Sequence, residues 1–405
     1  MNKADSARLA AELEGLGYVS AASLEEADIV VLNSCVVRQS AENRVASKLS
    51  SLRAVHRARP ETAIALTGCM VDTNLDELQR RFPHVDAFFG PQDFHRFLAH
   101  IRPVDEALET PRREPQVSEF VPIISGCDKF CTYCIVPYRR GRERSHPLEE
   151  IGCEVERLAA RRVREVTLLG QNVDSYGHDL PGKPDLADLL HKLNGVAGLA
   201  RIRFLTSHPK DMTRRLIEAV SELDRVCEHI NLPVQAGDDD ILRRMGRRYS
   251  VSQYRDLVVR IRDAIPGVSM STDVIVGFPG ETEQQFGNTL ALLENLRFDT
   301  VHVAAYSPRP GTAAARLSDD VPPAEKKRRL QVVEALQEAI VSEANARLVG
   351  RTVEVLVERR KGEKWEGRSR TNKIVHFQDP ADLLGQLVHV MVEKSSPWAL
   401  QGKLV

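Results

Sequence analysis

Short apolar runs alternate with amphipathic stretches along the N-terminal quarter of the chain. Residues 5–16 carry a helical period, followed by the apolar run 29–32, a helix over about 40–57, the run 63–66, a helix near 75–82 and the run 85–89. Such alternation predicts an open parallel α/β sheet. In sheets of this kind ligands collect beyond the carboxyl ends of the strands. Cys35 follows the first run (IVVLNSC) and Cys69 follows the second (IALTGCM). Neighbouring strand ends bring two thiols to one edge, which suits a metal centre; two unrelated core cysteines are the alternative.

Residues 103–117, rich in Pro and charge, read as a linker. Beyond it strand signals at 120–124, 166–169, 202–205, 229–232, 270–276 and 301–306 alternate with helical ones after 147, near 186–193, from 212, in two stretches to 265 and from 281. Six strands, each followed by helix, predict an incomplete β/α barrel rather than the eight-fold closed one. A long helix over 322–348 presents Leu330, Val333, Leu336, Ile340 and Ala344 as one stripe. The period then changes to two over 352–358, 366–377 and 387–393, with Gly362, Gly367 and Gly385 between or within these segments. That pattern predicts a small antiparallel β-barrel. The fold class is therefore α/β, with three domains at 1–102, 113–343 and 344–405.

Composition narrows the field. The 405 residues are 42% hydrophobic and 28% charged, as in globular domains. They include no apolar run long enough for a membrane helix and no apolar leader behind the charged N-terminus, so the chain is expected in the cytoplasm. A net charge of −1 excludes a uniformly basic nucleic-acid binder. Basic clusters are local: Arg139, Arg140, Arg142 and Arg144; Arg243, Arg244, Arg247 and Arg248; 326–329; and 359–361. Residues 344–405 hold 11 Lys and Arg against 7 Asp and Glu. Both tryptophans, Trp365 and Trp398, lie there, to stack on bases or to fill a small core.

The candidate chemistry centres on SGCDKFCTYCIVPYRRGRER, residues 125–144. Cys127, Cys131 and Cys134 stand at C-x3-C-x2-C, beside Tyr133. Three thiolates are one short of the set that closes a structural zinc site or saturates a cubane cluster, so one metal corner is open. The alternative is a zinc site completed by a remote ligand such as His146. The seven cysteines are an odd number spread over a long chain, which argues for ligation rather than a disulfide framework. Cys153 and Cys227 read as packing. The turns Gly170-Gln171-Asn172, Ser207-His208-Pro209, Gln235-Ala236-Gly237 and Gly277 to Glu281 follow later strands; they could cradle a cofactor or be tight turns. Arg139, Arg140 and Arg142 could grip phosphate, or pair with Glu143, Glu149 and Glu150.

The three-cysteine spacing resembles that of the radical S-adenosylmethionine (SAM) superfamily. Together with NSCVVRQSAENR, TGCM, EVTLLGQNVDSYG, LPVQAGD, STDVIVGFPGETEQQF and SPRPGT, it is similar to the radical SAM methylthiotransferase family, in its MiaB-type branch, over nearly the whole chain. The resemblance implies two 4Fe-4S clusters. One, at Cys127, Cys131 and Cys134, binds and cleaves SAM; the other, auxiliary, is held through Cys35, Cys69 and a third cysteine. Members usually open on a strand ending in a G-C-Q-M-N motif that supplies that cysteine. This sequence starts at Met1-Asn2, where the motif's last two residues would lie, so the resemblance leads to the expectation of an auxiliary ligand set that lacks one cysteine, either through a start placed too late, at the motif's own methionine, or in a shortened protein.

The resemblance also makes Tyr133, Gly170, Gln171, Asn172, Ser207, Gln235, Gly277 and Glu281 the SAM cradle. The C-terminal module becomes an RNA-binding TRAM domain, with Arg139, Arg140, Arg142, Arg370 and Lys373 as RNA contacts. The expected partners are the anticodon loop of tRNA and a flavodoxin- or ferredoxin-like electron donor, the chain acting as a monomer. The implied activity is 2-methylthiolation of N6-isopentenyladenosine beside the anticodon. Alternatives are a sister enzyme acting on threonylcarbamoyladenosine or on a ribosomal-protein aspartate, and an RNA-binding protein that has lost sulfur insertion.

Overall fold

Alternating side chains on the strand Ala63–Gly68 organise the N-terminal sheet: Ile64 and Leu66 face one way with Leu49, Leu52 and Phe82, while Ala65 faces the other with Leu9, Phe89, Phe94 and Phe97. A computed structural model describes residues 1–34, 39–71, 75–90, 93–98, 101 and 116–405, without the side chains of residues 39, 40, 95 and 96. Cys35 and nearly all of the expected linker at 103–117 lie outside the described residues. The chain divides into two compact units, Met1–Glu114 with Cys134–Arg142, and Pro115–Tyr133 with Glu143–Val405.

In the first unit β1 (Ile29–Ser34), β2 (Ala63–Gly68) and β3 (Ala87–Phe89) form a parallel sheet in the order β1-β2-β3. It carries α1 (Asn2–Gly15), α2 (Gln39–Ala58), α3 (Leu75–Arg81), α4 (Phe94–Leu98) and, from the later segment, α5 (Val136–Arg140). Strands β1 and β2 run past their apolar stretches because polar groups continue the pairing. The buried Ser34 hydroxyl donates to the Thr67 carbonyl and accepts from the Met70 amide. A Cβ at Gly68 would stand 2.3 Å from the Ser34 carbonyl oxygen, so only glycine allows that approach.

The second unit contains β4 (Ser118–Pro122), β7 (Glu165–Leu169) and β8 (Arg201–Phe204) as one parallel sheet, and β9 (His229–Asn231), β10 (Ser269–Val276) and β11 (Thr300–Ala305) as another. A parallel bridge between Ile202 and Val226 joins them into the six-stranded partial barrel. A short antiparallel pair, β5 (Ile124–Ser125) with β6 (Arg144–Ser145), brackets the cysteine loop.

Helices α6 (Leu148–Ala160), α7 (Leu186–Asn194), α8 (Arg214–Glu222), α9 (Asp239–Arg244), α10 (Val251–Ala264), α11 (Glu283–Leu296) and α12 (Pro323–Ala346) complete the barrel. Asp185, Thr213, Asp238, Ser250 and Thr282 accept first-turn amides, which fixes where five of them begin. Among the described residues no helix is long and apolar enough to cross a membrane.

The C-terminal strands β12 (Thr352–Lys361), β13 (Lys364–Ser369), β14 (Ile374–Gln378), β15 (Leu387–Ser395) and β16 (Leu400–Leu404) close into a barrel in the order β12-β13-β14-β16-β15. It departs from the expected pattern in two ways. The stretch 366–377 is two strands, turned at Asn372 with φ +63°, and the polar β16, invisible to hydrophobic alternation, closes the barrel through a parallel pairing of Val375 with Leu400. The tryptophans divide: Trp365 is core, its indole N–H on the Asp379 carbonyl, whereas Trp398 is 75% exposed.

Arginines fasten this small barrel to the rim where the large barrel's strands begin. Fully buried Arg201 donates to the Arg368 carbonyl (2.6 Å) and to Glu354 (2.8 Å). Arg203 pairs with buried Glu165 (2.9 Å) and donates to the carbonyls of Arg370 and Ser369. Arg370 reaches back to Glu228 (2.6 Å) and the Val226 carbonyl, and Lys373 to Asp299 (2.9 Å). Arg370 and Lys373, expected as RNA contacts, are thus engaged within the protein, because the acidic barrel rim faces them. Cys153 is exposed on α6, against the packing expectation, while Cys227 is buried as expected.

Candidate functional site: the cysteine loop and the carboxyl rim of the barrel

The parallel order puts the carboxyl ends of all six barrel strands on one rim. The loop carrying Cys127 and Cys131 follows β5 there, and Cys134 comes next in the chain after Tyr133; Cys131 is buried, and Cys127 and Cys134 are half-buried. Thr132 stitches this loop down. Its amide donates to the Met245 carbonyl (2.9 Å) and its hydroxyl to the Arg244 carbonyl (2.8 Å). Farther back, Asp128 and Glu143 exchange side-chain-to-amide bonds, and Lys129 pairs with Asp211 (2.5 Å). Burial, with the Glu143 and Cys131 charges adding, pushes the Cys127 thiol up to about 11. A thiol so placed is inert until a metal takes its proton's place.

The neighbouring strand ends carry the other expected residues. Gly170 follows β7, and a Cβ there would strike Ile124 at 2.4 Å. Gln171 Oε1 and Asn172 Oδ1 are buried acceptors with no hydrogen-bond donor among the described residues, although the Asn172 amide donates to Asp211. Orphaned acceptors of this sort suit the ammonium and hydroxyl donors of a bound SAM. The Ser207 hydroxyl donates to Asp174 (2.9 Å), whose carboxyl burial pushes up to about 7. His208 is held neutral, burial first and then Arg247 lowering it to about 3. Gly277 needs glycine for its φ of +69° and for the Lys326 side chain against it. Glu281, expected to touch cofactor, instead accepts from Arg329 (2.8 Å) and the Gly277 amide (2.6 Å), because a buried carboxylate next to a buried guanidinium closes that turn. Tyr133 is half-buried beside the cluster Ala236, Met245 and Phe278.

The arginines after the loop also sort themselves. Arg140 is buried, paired with Asp5 (2.8 Å) and bonded to Asn2 and to the Cys69 side chain, which takes it away from any phosphate. Arg139 is half-buried and Arg142 exposed. Cys69 is itself buried at the end of β2.

Several features escaped the reading of motifs. Thr206 and Gln235, in the turns that follow β8 and β9, have φ of +73° and +76°. Left-handed backbone at a β-branched residue costs about 1–3 kcal/mol and gathers at functional sites; no sequence signal marks it. Arg247 was hidden in a charge run. Gly246, with φ +73°, ends α9 and its amide and that of Arg247 cap the helix on the Arg243 and Leu242 carbonyls. That turn sends Arg247 inward, to donate to the Cys131 sulfur at 3.6 Å.

Comparison with known proteins agrees with this architecture. Residues 121–293 match the Radical SAM superfamily, residues 346–405 the TRAM domain, and residues 1–90 the uncharacterized protein family UPF0004. The tRNA-2-methylthio-N(6)-dimethylallyladenosine synthase of Dehalococcoides mccartyi (strain CBDB1) is 52% identical over 406 residues, covering 100% of this chain and 96% of that protein. The synthase of the same description from Roseiflexus sp. (strain RS-1) is 52% identical over 415 residues, covering 100% and 87%. Among solved structures, the radical S-adenosylmethionine methyltransferase TsrM from Kitasatospora setae superposes with a TM-score of 0.51 at 14% identity, over 71% of this chain and 65% of that one, a likeness of fold alone. Similarity of this degree from end to end makes the chain a member of the tRNA-2-methylthio-N(6)-dimethylallyladenosine synthase family, a radical SAM enzyme with a TRAM domain.

Proposed function

We propose that the chain attaches a methylthio group to C2 of N6-isopentenyladenosine beside the tRNA anticodon, with Cys127, Cys131 and Cys134 as ligands of the SAM-binding cluster. The observation that carries this reading is the stitched-down three-cysteine loop on the same rim as the orphaned acceptors Gln171 and Asn172. When bound, the cluster supplies the single electron that splits SAM into a carbon radical, which an aromatic C–H bond with no acidic proton requires.

The protein's share is orientation and exclusion of water. Thr132, through Met245 and Arg244, holds the loop; Gln171 and Asn172 offer acceptors to the cofactor's donors; Phe278 and Met245 keep the floor apolar. Asp174 fixes the Ser207-His208 turn through one bond to each residue. Exposed Arg142 is the phosphate-facing residue of this reading, and Trp398 a base-stacking one. A second, auxiliary cluster is assigned to Cys69 and Cys35. A flavodoxin- or ferredoxin-like protein is the electron source, and the enzyme works as a cytoplasmic monomer.

Anaerobic reconstitution followed by iron analysis tests the cluster count: about eight irons per chain supports two cubanes, about four supports one. Cys131→Ala is expected to abolish SAM cleavage, whereas Cys69→Ala leaves cleavage and stops methylthiolation. Equal loss of both activities in both variants refutes this division. Mass spectrometry of tRNA nucleosides from a deletion strain tests the substrate, and persistence of the methylthio mark there rejects it.

A further inference from the structure

Arg247 is one of the large charged side chains buried in the barrel, 7% exposed, and its surroundings are specific. Its Nε donates to the Tyr249 hydroxyl (2.8 Å) and its Nη2 to the Pro233 carbonyl (2.8 Å). Tyr249 in turn donates to the Val234 carbonyl (2.8 Å), so the guanidinium plane is held from the end of β9. Its Nη1 points at the Sγ of Cys131, itself 9% exposed. Neither Glu nor Asp is paired with Arg247 among the described residues, so the Cys131 sulfur is the ligand atom that its charge faces. A guanidinium does not lose its proton in a protein, so the charge is permanent.

We infer that Arg247 sets the reduction potential of the cluster bound at Cys127, Cys131 and Cys134, stabilising its reduced state through the Cys131 sulfur. The inference rests on the cluster assignment made above and adds the group that tunes it. Reduction takes one electron from an external low-potential donor, which is itself oxidised by one electron; no bond forms or breaks and no proton moves in that step. The extra negative charge spreads over the sulfurs. A fixed positive charge and an N–H···S bond therefore stabilise the reduced state more than the oxidised one, most strongly where water is excluded. Arg247 touches neither substrate nor the reacting carbon; it acts through the ligand.

The test is a redox titration followed by electron paramagnetic resonance, on the full chain carrying Cys35→Ala and Cys69→Ala, so that one cluster signal remains. Arg247→Met removes charge and donor. It is expected to reduce the ratio of reduced to oxidised cluster at least tenfold at a fixed ambient potential, a shift of 59 mV for a one-electron couple. Arg247→Lys keeps the charge without the fork and is expected between the two. Tyr249→Phe, isosteric and remote from the sulfur, frees the guanidinium and shifts the midpoint less, in the same direction.

Coincident titrations of Arg247→Met and the parent overturn the inference while leaving the cluster in place. Should Arg247→Met fail to hold iron, the Lys and Phe variants decide, and midpoints equal to the parent's in both overturn it. Absence of iron from the parent itself refutes the cluster assignment, and the inference with it.

Discussion

Replacing Arg203 with methionine examines how firmly the two barrels are joined. Arg203 and Glu165 are 4% and 2% exposed in their side chains. In Arg203→Met the Glu165 carboxylate keeps, among the described residues, only a 3.2 Å bond from the Ser118 hydroxyl; the Arg370 carbonyl loses the Arg203 donor, while that of Ser369 retains the Asn372 amide (3.0 Å). Stranding one member of a buried ion pair costs about 3–5 kcal/mol. The abandoned Arg370 carbonyl, at about 1 kcal/mol or more, puts the total toward the upper end. The comparison is a double-mutant cycle with Glu165→Met, read by urea unfolding and by limited proteolysis at the connection between α12 and β12. The double variant is expected to be more stable than Arg203→Met alone, since an apolar pair no longer buries a lone charge. Cleavage of the connection should begin at lower urea in Arg203→Met. A loss below about 1 kcal/mol, or strictly additive substitutions, would refute the claim that this contact locks the domains.

Other outcomes follow from the same structure. Burial holds His208 and His229 neutral down to about pH 3 but holds Asp174 protonated up to about pH 7. The histidines take up protons only on unfolding, so they make stability fall as pH drops below their ordinary range. Asp174 has the opposite sign, its contribution being present in acid and lost as pH rises from about 4 to 7. Asp174→Asn should therefore steepen the acid-side decline by about 1.4 kcal/mol per pH unit between pH 4 and 6, seen in urea midpoints; an unchanged slope contradicts the assignment. A Cβ at Gly367 would stand 2.2 Å from the Leu356 carbonyl oxygen, so Gly367→Ala should destabilise the small barrel by about 1–3 kcal/mol, and a neutral effect in thermal unfolding would count against the close approach. Arg142→Ala should weaken tRNA binding and reduce the salt-dependence slope by about 1, while Arg140→Ala should lower the stability of the N-terminal unit; the reverse pattern in filter binding and unfolding would exchange their roles.

Strand positions were legible wherever burial alone decides the residue: Ile64 to Leu66, and Val166, Leu168 and Leu169, are apolar because both faces are covered. Polar residues that belong to strands for another reason were not. Arg201 and Arg203 look like solvent residues in a local window, yet they are buried because the C-terminal barrel, far along the chain, covers them. Strand β16 pairs through its backbone and shows little alternation. The cysteine spacing marked the candidate site, since ligand count is a local property. The orientation of Arg247, the diversion of Arg140 toward Asp5 and the capture of Glu281 by Arg329 are products of tertiary packing, and charge runs are silent about which member turns inward.

The attachment of the small barrel to the start of the strands, with the cysteines at their far end, also sets a length. Strand β10 has eight residues, roughly 26 Å at about 3.3 Å each. A free nucleoside is too short to reach both places, so a ligand that does so is a polymer lying along the flank of the large barrel. Trimming such a polymer from the end remote from the modified base should first diminish affinity and leave the chemistry at the base untouched.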